Sequence, residues 1–433
     1  MGDSKLPPRN CSVVTRHPLP IFLVALLLAA NALAAAPTET VLYSFPGGSS
    51  GANPYAGLIL DSAGALYGTT GGGGASTKCN LGSGCGTVFK LTPPATKTGT
   101  WTESVLYSFQ GVTAKDGSGP QASLVFDAAG ALYGTTASGG ASGFGTVFKL
   151  TPPATQGGAW TETVLYSFKG STDGSSPASG LIFDTKGALY GTTSVGGANN
   201  FGIAFKLTAP TKGTTWVESI LYTFKGLSDG GKPYAGLVLK ANNLYGTTLD
   251  GGSSSEGTVF ELTAPAKLGQ PWTETVLYSF TGGKDGGKPY AGLIFDKAGA
   301  LYSTTGLGGS GGFGAVFKLA PPTVTGGAWT ESVLFDFGGG PDGSYARYGL
   351  VFDAKGNLYS TTGVGTTNSG VVFELTPPLV AGGLWTETVL WTFTGGSDGG
   401  DTTAGLALKN GVLYGTTSLG GLLSKGTVFE VVP

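Results

Sequence analysis

The sequence predicts an all-β fold, a single seven-bladed β-propeller of four-stranded blades whose ring closes by pairing the N-terminal strand with the C-terminal blade. Three observations predict it. A Leu-Tyr pair recurs at Leu66-Tyr67, Leu132-Tyr133, Leu189-Tyr190, Leu244-Tyr245, Leu301-Tyr302, Leu358-Tyr359 and Leu413-Tyr414, its tyrosines 66, 57, 55, 57, 57 and 55 residues apart. Each recurrence carries the signals of four short strands. The two ends of the chain hold complementary parts of one repeat. A fixed period marks a repeat architecture, and thin solenoids have periods nearer ~20–30 residues.

The unit beginning at Gly292 shows the four strands, named a to d from the inside outward. Leu293–Phe295 is a short apolar strand a, ended by Asp296-Lys297-Ala298-Gly299. That turn suits a hairpin, with Asp capping it and Gly free to take positive φ. Leu301–Thr305 is strand b, closed by the glycine-rich stretch Gly306 to Gly314. Strand c, Ala315–Leu319, is β-branched and aromatic. Pro321-Pro322 then stops it, because proline cannot continue a central strand. Strand d runs from Trp329 to Phe337 and alternates Trp329, Glu331, Val333, Phe335 and Phe337 on one side. No segment has a capped helical period. Gly68, Gly134, Gly191, Gly246 and Gly415 in strand b are expected where blades crowd toward an axis.

The first strand pattern, Thr38–Phe45, is a strand d with no a, b or c before it. The last, Gly426–Val432, is a strand c with no d after it. The expectation is that Val41–Phe45 pairs with Thr427–Val431 as the outermost strand of the last blade, hiding an edge that would otherwise recruit other chains.

Composition bounds the function. Of 433 residues, 40% are hydrophobic and 12% charged, with 79 glycines and no collagen-like period. The net charge of −2 offers no basic footprint, so no nucleic-acid partner is expected. Lys5, Arg9 and Arg16 precede an apolar run, Leu19–Leu28, followed by Ala32-Leu33-Ala34. This reads as a secretory signal peptide over residues 1–34, cleaved after Ala34 or Ala36, leaving 35–433 as the propeller. No membrane span is expected after its removal, and the product is expected to be a secreted or extracytoplasmic monomer. In an oxidising compartment Cys79 and Cys85, close together in one glycine-rich loop, are expected to form a disulfide.

The phrases Gly-Leu-(Ile/Val)-Phe-Asp, Leu-Tyr-Gly-Thr-Thr, Gly-Thr-Val-Phe-Lys-Leu-Thr and Trp-Thr-Glu-Thr-Val-Leu-Tyr-Ser-Phe resemble the GloVer tandem-repeat family from Thr38 to Val432. The resemblance implies an exported bacterial repeat protein, often surface-anchored, whose biochemical role is uncharacterised. Gly-Gly before strand c and Trp in strand d resemble kelch repeats more weakly, which supports only the strand order.

The chemistry available is narrow. His17, within the leader, is the only histidine, so the rest of the chain has no Ser-His-Asp, Cys-His or histidine metal site. No cofactor or metal is implied. Glu39, Glu103, Glu162, Glu218, Glu274, Glu331 and Glu387 repeat in strand d. A catalytic pair needs two converging carboxyls in different environments, so this ring reads as solvated or paired framework charge. The lysine of strand c (Lys90, Lys149, Lys206, Lys318) is a candidate partner in four units. Asp116, Asp173, Asp229, Asp285, Asp342 and Asp398, each before Gly, read as turn formers. Trp101, Trp160, Trp216, Trp272, Trp329 and Trp385 read as packing groups. The non-repeating acids Asp250, Glu256, Asp336 and Asp401 are not brought together by any spacing.

One column varies inside a nearly constant frame. Three residues before the first Leu of strand a stand Tyr55, Gln121, Ala178, Tyr234, Tyr290, Arg347 and Thr403. Diversity confined to one loop position is expected of a recognition surface and equally of a tolerant exposed site. The functional expectation is a secreted scaffold for binding or adhesion. Its ligand is a glycan or protein, held on the d-to-a loops by Tyr55, Gln121, Tyr234, Tyr290 and Arg347. The alternatives are a carboxylate-dependent carbohydrate-active propeller enzyme and a purely structural surface protein.

Overall fold

Seven antiparallel sheets stand in a ring among the described residues of the computed structural model. The structure describes residues 1–2, 35–76, 78–79, 84–96, 99–155, 157–267, 269–324, 326–380 and 382–433. The leader segment expected over residues 1–34 therefore lies almost wholly outside the described residues. Residues 37–433 form one compact unit.

The first blade sets the pattern. Strand a is Ile59–Leu60, b is Leu66–Thr70, c is Thr87–Thr92 and d is Thr102–Ser108, hydrogen-bonded in that order. Strands b and c are buried on both faces, which suits their near-continuous runs of apolar residues and threonine. Strand d alternates because only one of its faces is covered. The last blade is built from both ends of the chain, as expected: Thr38–Ser44 pairs antiparallel with Thr427–Val432, from Thr38↔Val432 to Ser44↔Thr427. That blade holds one strand the sequence did not predict, Gly400–Thr402 on Val412–Leu419. Elsewhere the same contact is a single bridge, such as Ala52↔Gly72. Thr402 stands where five other units have proline, so an N–H is available to lengthen the pairing.

Neighbouring blades are joined by one aromatic contact repeated at every seam. The Phe that follows strand d packs edge-on against the central Phe of strand c in the next blade. The pairs are Phe45–Phe89, Phe109–Phe148, Phe168–Phe205, Phe224–Phe260, Phe280–Phe317, Phe337–Phe373 and Phe393–Phe429, with centroids 4.9–5.3 Å apart. All fourteen rings are at most 1% exposed. Truncating a buried Phe of this kind typically costs ~3–5 kcal/mol. The strand-d tryptophans also pack across the seam: Trp101 on Tyr414, Trp272 on Tyr190 and Trp329 on Tyr245, centroids 6.4–6.5 Å apart.

The strand-b glycines serve a different purpose from the one expected. A Cβ on Gly68 would fall 2.7 Å from Cζ of Phe89 and 2.9 Å from Cδ2 of Leu58, both in the same blade. The glycine makes room for the seam Phe, not for a neighbouring blade. Ser303 and Ser360 replace it in two blades and donate to the carbonyls of Gly292 (3.0 Å) and Gly349 (3.1 Å).

The Thr-Thr pair ending strand b divides its labour. The first threonine reaches across the seam to a d-to-a loop carbonyl: Thr135 to Ser179, Thr247 to Ala291, Thr304 to Tyr348, Thr361 to Ala404 and Thr416 to Ala56, at 3.1–3.3 Å. The second stays in its blade, pairing with the first residue of strand c in Thr70–Thr87, Thr136–Thr146, Thr248–Thr258 and Thr417–Thr427, at 2.8–2.9 Å. In these blades one hydroxyl ties a loop across the seam and its neighbour ties strand b to strand c.

Deleting Thr38–Phe45 strips the outer strand from Thr427–Val432 and removes Phe45 from Phe89. The variant is expected to aggregate or to melt far below the parent chain, and an unchanged melting temperature in calorimetry would refute the closure. The expected disulfide is present between Cys79 and Cys85, with Cα atoms 5.0 Å apart. Both cysteines should resist a thiol-alkylating reagent until a reductant is added, as read by mass spectrometry.

Candidate functional site

The variable column converges. Tyr55, Gln121, Ala178, Tyr234, Tyr290, Arg347 and Thr403 all line one open concavity of about 180 Å³ at the axial end of the d-to-a loops. Each is followed by a small or half-buried residue and then by a ring of Gly57, Ser123, Gly180, Gly236, Gly292, Gly349 and Gly405. Approach is close at two of these glycines, where a Cβ on Gly405 would fall 3.0 Å from the carbonyl oxygen of Gly349 and one on Gly236 3.1 Å from that of Gly180. The blades' backbones nearly meet there, and the column stands around that closure as a rim.

A second column, two residues earlier, escaped the sequence reading. Asn53, Gly119, Ser176, Lys232, Lys288, Tyr345 and Asp401 all have left-handed backbones, with φ between 53° and 63°. Only one of the seven is glycine, so six side chains are held where L residues are uncommon. Their backbones explain the geometry. The N–H of Asn53 donates to Lys425, that of Ser176 to Phe144, that of Lys232 to Phe201 and that of Lys288 to Glu256, each in the preceding blade, at 2.8–3.0 Å. Pinned so, the side chains reach different partners: Tyr345 meets Arg347, Lys232 and Lys288 meet Asp250, and Asn53 donates to the Ser418 carbonyl at 2.9 Å. The available signal was that this position varies as much as the first column while the residues between them do not.

Together the two columns are strongly asymmetric. Tyr234 and Tyr290 lie 5.9 Å apart. The guanidinium of Arg347 sits 4.9 Å from the Tyr290 ring and 5.0 Å from the Tyr345 ring. Tyr234, Tyr290, Arg347 and Tyr345 therefore form one continuous stack across three blades. Gly306 underlies it, since a Cβ there would fall 3.2 Å from both Arg347 Cγ and Tyr290 Cδ2. Tyr55 packs on Gly71 in the same way and is 38% exposed. Burial, and then the nearby Asp401 carboxylate, push the Tyr55 and Tyr348 hydroxyls above the usual phenol range. On the opposite arc Ala178 adds only a methyl group, Gln121 is exposed, and Thr403 donates away to the Pro54 carbonyl at 2.9 Å.

Two of the non-repeating acids do meet. Asp250 bridges Lys232 (2.8 Å) and Lys288 (3.0 Å), and Glu256 lies 3.9 Å from Lys288. Although burial opposes it, hydrogen bonds and charge from the two lysines hold the Asp250 carboxyl below its usual range. It is a clamp between two blades, ionised and saturated. Asp401 accepts from Ser418 at 2.7 Å, while Asp336 accepts from Ser310 at 2.9 Å on a c-strand loop.

The repeating carboxylates stand away from the mouth. The strand-c lysines do not pair with the strand-d glutamates; they approach the turn aspartates instead, Lys149–Asp127 and Lys206–Asp184 both at 3.7 Å. Those aspartates also accept from the strand-b tyrosine, as Asp127 does from Tyr133 at 3.1 Å. The Asp-Gly residues act as turn formers: Asp229 accepts the N–H of Lys225 at 3.1 Å and the hydroxyl of Tyr222 at 2.8 Å. The strand-d glutamates form no ion pair within 4.0 Å among the described residues and are only partly solvated. Each has one oxygen, Oε1, buried without a hydrogen-bond partner.

Burial raises all seven strand-d glutamates from 4.5 to about 7, helped in six of them by a nearby acid such as Asp116 for Glu162 or Asp229 for Glu274. The folded chain therefore holds these protons more tightly than the unfolded chain. Their stabilising contribution is complete below about pH 4.5 and is lost as pH rises through about 7. The melting temperature is expected to fall between about pH 5 and 8. Glu162→Gln together with Glu274→Gln should flatten that slope in pH-series thermal melts.

Comparison with known proteins places the geometry. The Gloeobacter/Verrucomicrobia repeat model matches residues 32–219 and 211–429. No curated protein matches the chain. Among solved structures, a fungal alcohol oxidase of the AA5 family with copper aligns at 12% identity and TM-score 0.51, over 92% of this chain and 76% of that one. A polysaccharide lyase of family PL25, an ulvan lyase, aligns at 12% and 0.50, over 91% and 95%. A candidate 6-phosphogluconolactonase from Bacteroides uniformis aligns at 16% and 0.50, over 78% and 84%. Three unrelated chemistries on one architecture carry the fold alone.

Proposed function

We propose that this chain, which belongs to the Gloeobacter/Verrucomicrobia repeat family, is an extracytoplasmic binding scaffold that takes a glycan on the face carrying its d-to-a loops. The observation that carries the reading is the continuous stack of Tyr234, Tyr290, Arg347 and Tyr345 on one arc of the rim. Tyrosine rings offer flat, amphipathic area at low entropic cost, which suits the C–H face of a sugar. The frame beneath is held, because threonines such as Thr247, Thr304 and Thr361 bolt the loops to the blade they leave. The Cys79–Cys85 bond suits an oxidising compartment.

A hydrolytic or eliminating enzyme would place a proton-donating acid at the mouth. Asp250, the acid bridged by rim lysines, is held ionised by its two partners and suits a clamp better than a proton donor. A protein ligand on the same loops is the second reading, favoured by the exposure of Tyr55 and Tyr234, each 38% exposed.

A glycan array probed with the purified chain, alongside a pull-down from extracellular medium, separates the two. Tyr290→Ala should weaken a retained glycan by about 2 kcal/mol in titration calorimetry, the loss of an anchor residue. Thr304→Ala, which removes a seam bond, should lower the melting temperature without selectively lowering affinity. Full affinity in Tyr290→Ala would move the ligand off this arc.

A further inference from the structure

We infer that Arg347 makes the mouth a receptor for a carboxylated sugar, with the acid group bound in the plane of the guanidinium and the sugar ring on Tyr234 and Tyr290. This rests on the glycan-binding reading above and names the class of glycan.

Arg347 is the only arginine described after the leader. The chain's other cations at this face are already engaged, since Lys232 and Lys288 share Asp250 and Lys288 also donates to the Ser255 carbonyl at 2.8 Å. Every ion pair within 4.0 Å among the described residues uses lysine, and none uses Arg347. Its Nε is buried with no hydrogen-bond partner. Nε itself is closed to solvent, so a partner from outside would meet the two terminal nitrogens.

The geometry of the guanidinium limits what that partner is. The guanidinium carbon lies 4.9 and 5.0 Å from the centres of the Tyr290 and Tyr345 rings, and the half-buried residue lines the concavity. An edge-on fork of N–H donors matches the two oxygens of a carboxylate, which is the reason arginine is favoured over lysine at such sites. One unpaired cation also fits one acid group per sugar. An acidic peptide or polyphosphate would need several free cations, and Lys232 and Lys288 are already taken by Asp250 and Glu256. A monosaccharide acid needs only one, with its uncharged face on Tyr234, whose ring lies 5.9 Å from Tyr290.

The test compares glucuronate-terminated oligosaccharides with the same sugars after carboxyl reduction, using the intact chain in titration calorimetry. The acid form is expected to bind about 10-fold more tightly than the reduced form, with a preference that shrinks as salt is raised. Arg347→Gln should abolish the preference while leaving weak binding of both sugars, and Arg347→Lys should restore only part of it. Thermal melts of both variants verify folding, and the lysine variant keeps the charge should glutamine disturb the stack. Equal binding of acid and reduced sugars, unaffected by Arg347→Gln, would overturn this inference while leaving the glycan scaffold standing. Arg347-dependent binding of a glutamate-rich peptide without any sugar would overturn it in favour of a protein ligand. Binding of no sugar in the panel or on the array would overturn both readings together.

Discussion

Everything in this ring depends on the edge-on contact between two phenylalanines at each blade seam. A four-stranded antiparallel sheet buries too little alone, and each blade gains its core by lending one Phe to the next and receiving one from the last. The seam between the chain ends is no exception, because Phe45 enters the first blade and Phe429 receives Phe393. The strand-b glycine follows directly from this contact, because little space is left beside the receiving ring. So do the serines that substitute for it, whose hydroxyls use the same small volume to hold a loop. The seam between the first two blades is the least bolted, since Thr69 there has a buried hydroxyl without a partner.

With the seams fixed, the d-to-a loops have little freedom in their backbone and much in their side chains. Each loop is held by the preceding blade through the N–H of a left-handed residue, and by a threonine of that same blade further along. Between and beside these fixed points stand the two variable columns. The left-handed residues are kept despite their conformational cost, with glycine used only at Gly119. A scaffold with no use for those side chains would be better served by glycine at all seven positions. The aromatic stack and Arg347, which forms no ion pair, point to the same arc of the rim.

The acids separate into three environments with three consequences. Turn aspartates accept several N–H and O–H donors and act as framework. Asp250 is neutralised by two lysines and locks two blades together at the mouth. The outer glutamates each bury one oxygen with no donor, and burial lifts them to about 7. The ring is thereby made more stable in mildly acidic surroundings than in alkaline ones, a property distributed over every blade and unconnected with the binding face.

The sequence by itself determined the repeat, the count of blades, the order of strands, the closure by Val41–Phe45 and the Cys79–Cys85 bond. Each is a local pattern: period, alternation, turn residues and proximity along the chain. It also singled out Tyr55, Gln121, Tyr234, Tyr290 and Arg347, because variation against a constant frame is visible in a string of letters. The tertiary structure alone decided what those residues meet. Tyr345 and Lys232 lie in another column of the repeat, and only the fold brings Tyr345 against Arg347 and Lys232 against Asp250. Asp250 and Glu256 meet at Lys288, 38 and 32 residues away in the chain respectively, because adjacent blades bring their loops together. The purpose of the strand-b glycines was misread for the same reason, since a residue's letter records the space it leaves and not which ring fills it. Burial of one oxygen on each outer glutamate was equally invisible, because a strand's alternation says which side faces inward and not whether a hydrogen-bond donor waits there.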